Sequence, residues 1–252
     1  MSNLYTLLQT HFPADRSHAL ATLRDGTVIS YAGVENASAR YANMLVSLGV
    51  RPGDRVAIQA PKSIDMLMLY LGCVRTGAVF LPLNPAYTAG ELDYFMRDAQ
   101  PALFVCDPAQ VESIRALANA ARVGRVETLG DSGSGTLAAL AAKCAADFAT
   151  IDRADNDLAA ILYTSGTTGP PKGAMHSHRN VVFTMQHCMH PELSLSWYEG
   201  DERLAFLPLC HVAERIAGSY YSVATGVCSN FAESPETVPD NIREVQPTLF
   251  GA

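Results

Sequence analysis

The densest concentration of potential chemistry lies in Tyr163-Thr-Ser-Gly-Thr-Thr-Gly-Pro-Pro-Lys-Gly173. Thr164, Ser165, Thr167 and Thr168 supply four hydroxyl donors. Glycines at 166, 169 and 173 permit positive φ and close backbone approach, so main-chain N–H groups can converge on an anion. Lys172 adds a compact positive charge suited to phosphate, while Pro170 and Pro171 restrict the segment. A solvated surface linker would need neither the lysine nor the apolar run that precedes it. The nucleotide-hydrolase loop G-x-x-x-x-G-K-[ST] is the closer rival, and from Gly166 it places Lys172 correctly. Pro171 then replaces its second glycine, however, and Gly173 replaces its Ser/Thr. The segment reads as a phosphate cradle of another kind.

Such a cradle needs a rigid strand behind it, and Leu158-Ala-Ala-Ile-Leu-Tyr163 is a near-continuous apolar run of the type covered on both faces in parallel sheets. Upstream, strand and helix signals alternate. Residues 55–59, 102–106 and, weakly, 125–128 read as strands. Helices are predicted over 63–75, 91–99, 111–123 and 136–148, the first with Ser63 as N-cap and Gly77 just past its end. This order predicts an α/β fold of layered, mostly parallel sheets with helices on both faces, its binding site beyond the carboxyl ends of the strands. No linker of domain-separating length is visible within 1–252; 131–135 and 149–157 are the candidate internal boundaries.

Composition narrows the function. The chain has 252 residues, 48% hydrophobic and 17% charged, too apolar for disorder. Net charge is −7 with no basic block, which argues against nucleic acid or an anionic membrane as partner. The six cysteines are widely spaced, with no C-x-x-C pair; no signal peptide or transmembrane segment is visible, and a cytoplasmic location is expected. No feature reports oligomeric state.

The phosphate segment resembles the signature loop of the adenylate-forming acyl-CoA synthetases, relatives of peptide-synthetase adenylation domains and firefly luciferase. Ile29-Ser-Tyr-Ala-Gly33, Val74-Arg-Thr-Gly-Ala-Val-Phe-Leu-Pro-Leu-Asn-Pro85 and Phe206-Leu-Pro-Leu-Cys-His211 resemble three further motifs of that family. Up to about Gly169 the chain is similar to malonyl-CoA synthetases; from about Phe206 it is similar to long-chain fatty acyl-CoA synthetases. The resemblance implies a carboxylate–CoA ligase that joins ATP and a carboxylic acid, malonate or a fatty acid, into an acyl-adenylate, then transfers the acyl group to coenzyme A. It implies that Thr164 helps hold Mg²⁺, that Ser165, Gly166, Thr167, Thr168 and Gly169 wrap the β- and γ-phosphates, and that Lys172 offsets their charge. His211 would lie by the α-phosphate and the carboxylate, or else be a capping or buried histidine. The family's Tyr-Gly-x-Thr-Glu segment and adenylating lysine lie outside these residues, so the chain alone is expected to be inactive. A non-catalytic nucleotide-binding half completed by a partner chain, and a nucleotide hydrolase, are the alternatives.

The remaining polar candidates are weaker. His176-x-His178 and His187-x-x-His190 lack further ligands at zinc spacing and read as solvated or capping. Asp152, Asp155 and Asp157 read as solvated loop charges. Arg215 reads as a surface helix residue, with contact to a second substrate carboxylate as its alternative.

Overall fold

In the computed structural model, residues 3–131, 133–164, 170–188, 200–232 and 234–250 are described. In chain order they form α1 (Leu4–Thr10), β1 (Ala19–Thr22), β2 (Val28–Ser30), α2 (Tyr31–Ser47), β3 (Arg55–Gln59), α3 (Ile64–Thr76), β4 (Val79–Pro82), α4 (Ala89–Ala99), β5 (Leu103–Cys106), α5 (Val111–Ala120), β6 (Val126–Thr128) and α6 (Thr136–Ala141). There follow β7 (Leu158–Thr164), β8 (Lys172–Ser177), α7 (His178–Cys188), β9 (Glu202–Ala205), a π-helical stretch (Glu214–Tyr220), α8 (Tyr221–Thr225), β10 (Cys228–Phe231) and α9 (Val238–Val245).

The larger sheet has six strands in the order β6-β5-β3-β4-β7-β8. All neighbours are parallel except β7 and β8. Side chains of β3 alternate between its faces. Val56 and Ile58 enter a core with α1, α2 and α3, whereas Ala57 joins Leu92, Phe95 and Met96 of α4 and Ile114 and Ala118 of α5. Helices therefore cover both faces, as the apolar runs of a parallel sheet require. The smaller sheet, β2-β1-β10-β9, pairs strands about 200 residues apart in sequence, through Ala21–Ser229 and Thr22–Asn230.

Local signals place the helices well. Ser63 Oγ accepts the Met66 amide at 3.1 Å, and Gly77, at φ 71°, ends α3 in the left-handed conformation that glycine tolerates. A Thr88–Glu91 capping box starts α4 two residues before the sequence expectation. The helix expected over 136–148 stops at Ala141. Side chains of α2 and α3 capture the carbonyls that would have continued it: Arg40 binds those of Ala142 and Cys144, Asn43 those of Ala145 and Asp147, and Arg75 that of Phe148 at 2.6 Å. With those acceptors taken, 142–148 lies as an irregular strap across α2. The helix expected over 111–123 ends at Ala120, where Arg122 turns to φ 62° and the Val123 amide closes onto the Ala118 carbonyl.

All six cysteines are free. No helix among the described residues is long and apolar enough to cross a membrane.

Candidate functional site

β7 ends at Thr164 and β8 begins at Lys172, and these two residues form the last cross-strand pair of an antiparallel hairpin. Directly opposed residues of such a ladder project to the same face, so the Thr164 and Lys172 side chains leave the same side of the hairpin. Both residues are exposed, and the Thr164 hydroxyl donates to the Lys172 carbonyl at 3.4 Å. No carboxylate among the described residues pairs with Lys172. Ser165, Gly166, Thr167, Thr168 and Gly169, the residues between, lie outside the described residues.

Aromatic side chains of α4 hold the base of the hairpin. Tyr94 donates its hydroxyl hydrogen to the Pro171 carbonyl at 2.9 Å, and Tyr163 donates to the Asp98 carboxylate at 2.5 Å. Burial and the facing Asp98 charge push the Tyr163 phenol well above its ordinary pKa, so it stays a donor. The Tyr163 ring lies 4.4 Å from Phe95, centroid to centroid. Gly173 does not use the positive φ expected of it. It provides room instead: a Cβ there would come within 2.9 Å of Ile161 Cγ2 on the neighbouring strand.

The arrangement separates this loop from the nucleotide-hydrolase type. There the loop opens a helix whose N-terminus faces the phosphate. Here Lys172 opens a strand.

His211 sits at the turn between β9 and the π-helical stretch. Its amide binds the Pro208 carbonyl at 3.0 Å and its carbonyl accepts the Arg215 amide at 3.1 Å. The residue is exposed, which excludes the buried-histidine reading and leaves its imidazole accessible. π-helical segments are rare and recur at functional sites.

The weaker candidates resolve into structure. His178 is fully buried; its Nδ1 accepts the Leu4 amide at 3.1 Å, which places the proton on Nε2. Burial, reinforced by Arg153 and opposed by Asp157, pushes it down to about 4. Burial and the Arg215 charge lower His176. His187 Nδ1 contacts the Phe183 carbonyl at 2.9 Å within α7, and His190 lies outside the described residues. No group of three His, Cys, Asp or Glu among the described residues is placed to hold a metal ion. Asp157 is not merely solvated: it accepts the Ala154 amide at 2.8 Å and pairs with Arg153 at 2.9 Å.

The structure corrects one sequence reading and adds two features that no local motif marked. Arg215 is 2% exposed, so the surface-residue reading is wrong. Beside it, Arg203 and Glu214 form a buried ion pair, with Arg203 Nε also donating to Ser229 Oγ at 3.0 Å. Lys62, which donates to the Ala205 carbonyl, lines a cleft of about 420 Å³ with Ser63, Asp65 and Phe231. Burial pushes its ammonium down to about 8, against the opposing pull of Glu214. Its apolar neighbours come from separate parts of the chain, so no local motif marks it.

The layered α/β fold, with the exposed Thr164–Lys172 pair closing the β7–β8 hairpin, is that of the adenylate-forming enzymes. The chain belongs to the AMP-binding enzyme family, which it matches over residues 10–252. It is 35% identical to a feruloyl-CoA synthase of Amycolatopsis over 201 residues, 78% of this chain and 37% of that protein. It is 32% identical to the long-chain-fatty-acid–CoA ligase FadD13 of Mycobacterium tuberculosis, over 73% of this chain and 36% of the ligase. Among solved structures, ATP-bound MatB from Rhodopseudomonas palustris superposes with a TM-score of 0.91 at 39% identity, covering 99% of this chain and 48% of that one. The chain thus spans less than half the length of these relatives.

Proposed function

We propose that this chain supplies the ATP-binding part of an AMP-forming carboxylate–CoA ligase, which activates malonate or a fatty acid as an acyl-adenylate and passes the acyl group to coenzyme A. The Thr164–Lys172 rung carries the reading: it closes the hairpin with an exposed threonine opposite an exposed lysine that pairs with no carboxylate among the described residues. The donor set fits a triphosphate with its Mg²⁺, because loop amides and hydroxyls bind phosphate oxygens, the Thr164 oxygen is a hard ligand for magnesium, and Lys172 offsets negative charge. Ser165 to Gly169 wrap the β- and γ-phosphates. His211 holds the region of the α-phosphate and the carboxylate, where its exposed imidazole orients the reacting oxygen. Catalysis of this kind is positioning and charge neutralisation, so the residues need fixed placement more than unusual pKa values.

A hydrolase reading is less well supported, since Lys172 opens a strand rather than a helix. The test is calorimetric titration of ATP with Mg²⁺ into the purified chain and its K172A and T164A variants. Binding by the wild type, weakened at least about tenfold in K172A, about 1.4 kcal/mol, is expected. Equal affinity in all three would overturn the proposal.

A further inference from the structure

Lys62 lies in the short connection between β3 and Ser63, the N-cap of α3. Its ammonium donates to the Ala205 carbonyl at the end of β9 and stands 5.3 Å from the centroid of the Phe231 ring at the end of β10. No carboxylate among the described residues forms an ion pair with it. Glu214, which attracts it, is committed to Arg203, which repels it. Asp25, Asp65, Asp131 and Arg24 line the same cleft of about 420 Å³ as the half-buried Lys62 side chain. Burial above all, then the Arg203 charge, brings the amine down to about 8. About a quarter of the molecules then carry it neutral at pH 7.5, against about one in a thousand at the ordinary value of 10.5. A neutral lysine beside apolar side chains is a nucleophile. The chain's other two lysines, Lys143 and Lys172, are exposed.

Two arguments identify the electrophile. The burial that disfavours an ammonium disfavours any charged adduct, a carbamate included, so the site favours a neutral amide. Lys62 also borders the turn that carries His211: it holds the Ala205 carbonyl and shares with Pro208, Leu209 and Cys210 the lining of a void of about 20 Å³. On the ligase reading, on which the inference rests, the mixed anhydride of a carboxylic acid and AMP forms beside His211. We propose that Lys62 is an acyl-acceptor site for such mixed carboxylic–phosphoric anhydrides. Its Nζ attacks the carbonyl carbon, and a C–N bond replaces the C–O bond to phosphate. The phosphate leaves with the electron pair of that bond, and the surplus proton on nitrogen passes to water. The amide keeps one N–H for the Ala205 carbonyl, and a short acyl chain lies in the cleft against Phe231, Leu23 and Ile64.

Acetyl phosphate, a simple anhydride of this class, tests the site on the purified chain, with acetylated lysines mapped by mass spectrometry. At pH 7.5 Lys62 is expected to react at least about tenfold faster than Lys143 or Lys172, the gain in neutral fraction exceeding the loss of basicity. Its rate is expected to level off above about pH 8 while theirs keeps rising, and the three are expected to become equal in urea. Calorimetric titration of the same sample with ATP–Mg²⁺ reports on the ligase reading separately. Equal rates at all three lysines in the folded chain overturn the proposal. Labelling of Lys62 only in urea makes it a structural brace for Ala205 and also overturns it; intact ATP binding then leaves the ligase reading standing. Fast labelling of Lys62 in a chain that does not bind ATP supports the acceptor site and counts against the ligase reading.

Discussion

Thr164 and Lys172 are the terminal cross-strand pair of the β7–β8 hairpin. Its geometry depends on packing below: Gly173 passes close to Ile161, and Tyr94 holds the Pro171 carbonyl. Gly173→Ala must push the strands apart and is expected to destabilise by about 1–3 kcal/mol. Tyr94→Phe, losing one hydrogen bond, is expected to lose about 1 kcal/mol. Urea unfolding gives both values, and ATP titration should show G173A binding more weakly than Y94F.

Arg75 ties four parts of the chain together. It donates to the Glu35 carbonyl at 2.9 Å, Ser38 Oγ at 2.8 Å, the Tyr5 hydroxyl at 3.3 Å and the Phe148 carbonyl at 2.6 Å, and lies over the Tyr5 ring. Arg75→Met leaves those oxygens without their donor and is expected to cost about 3 kcal/mol or more. Hydrogen exchange should report loosening of 142–148 before the rest of the chain. A loss below 1 kcal/mol would contradict this account.

The Arg203–Glu214 pair is buried on both sides, at 9% and 4% side-chain exposure. Removing one member strands the other, so R203M and E214L are each expected to cost about 3–5 kcal/mol. The R203M/E214L double variant should recover a large part of that loss. A double-mutant cycle in urea measures the coupling, and simple additivity of the single losses would count against it.

His178 should make stability depend on pH. It titrates at about 4 in the folded chain, against an ordinary value near 6.5. Between these values the unfolded chain binds the extra proton, so stability is full above about pH 6.5 and falls as pH drops toward 4. The contribution lost is at most about 3.5 kcal/mol, from about 1.4 kcal/mol per pKa unit. H178Q should flatten the Tm-against-pH curve in this window; an unchanged slope would exclude His178 as its source.

Much of the architecture was legible locally. Residues 55–59, 63–76 and 158–163 announce themselves through apolar runs, a serine cap and a stopping glycine, because each signal and its consequence lie within one turn or strand. The hairpin strand ending at Thr164 was legible for the same reason, and the residue types from Thr164 to Lys172 are what suggest an anion cradle. Strands of three or four residues, such as β1, β2, β9 and β10, carry too little periodicity to show, and their partners lie up to about 200 residues away.

Sequence alone therefore determined that this protein has alternating α/β elements and a Gly/Ser/Thr/Lys segment after an apolar strand. The tertiary structure decided that the loop closes a hairpin rather than opening a helix, that 142–148 unwinds onto Arg40, Asn43 and Arg75, and that Arg215 is buried. Each of these depends on which distant residue satisfies a charge, a carbonyl or a strand edge, and burial of a polar group is a property of its neighbours in space rather than of its neighbours along the chain.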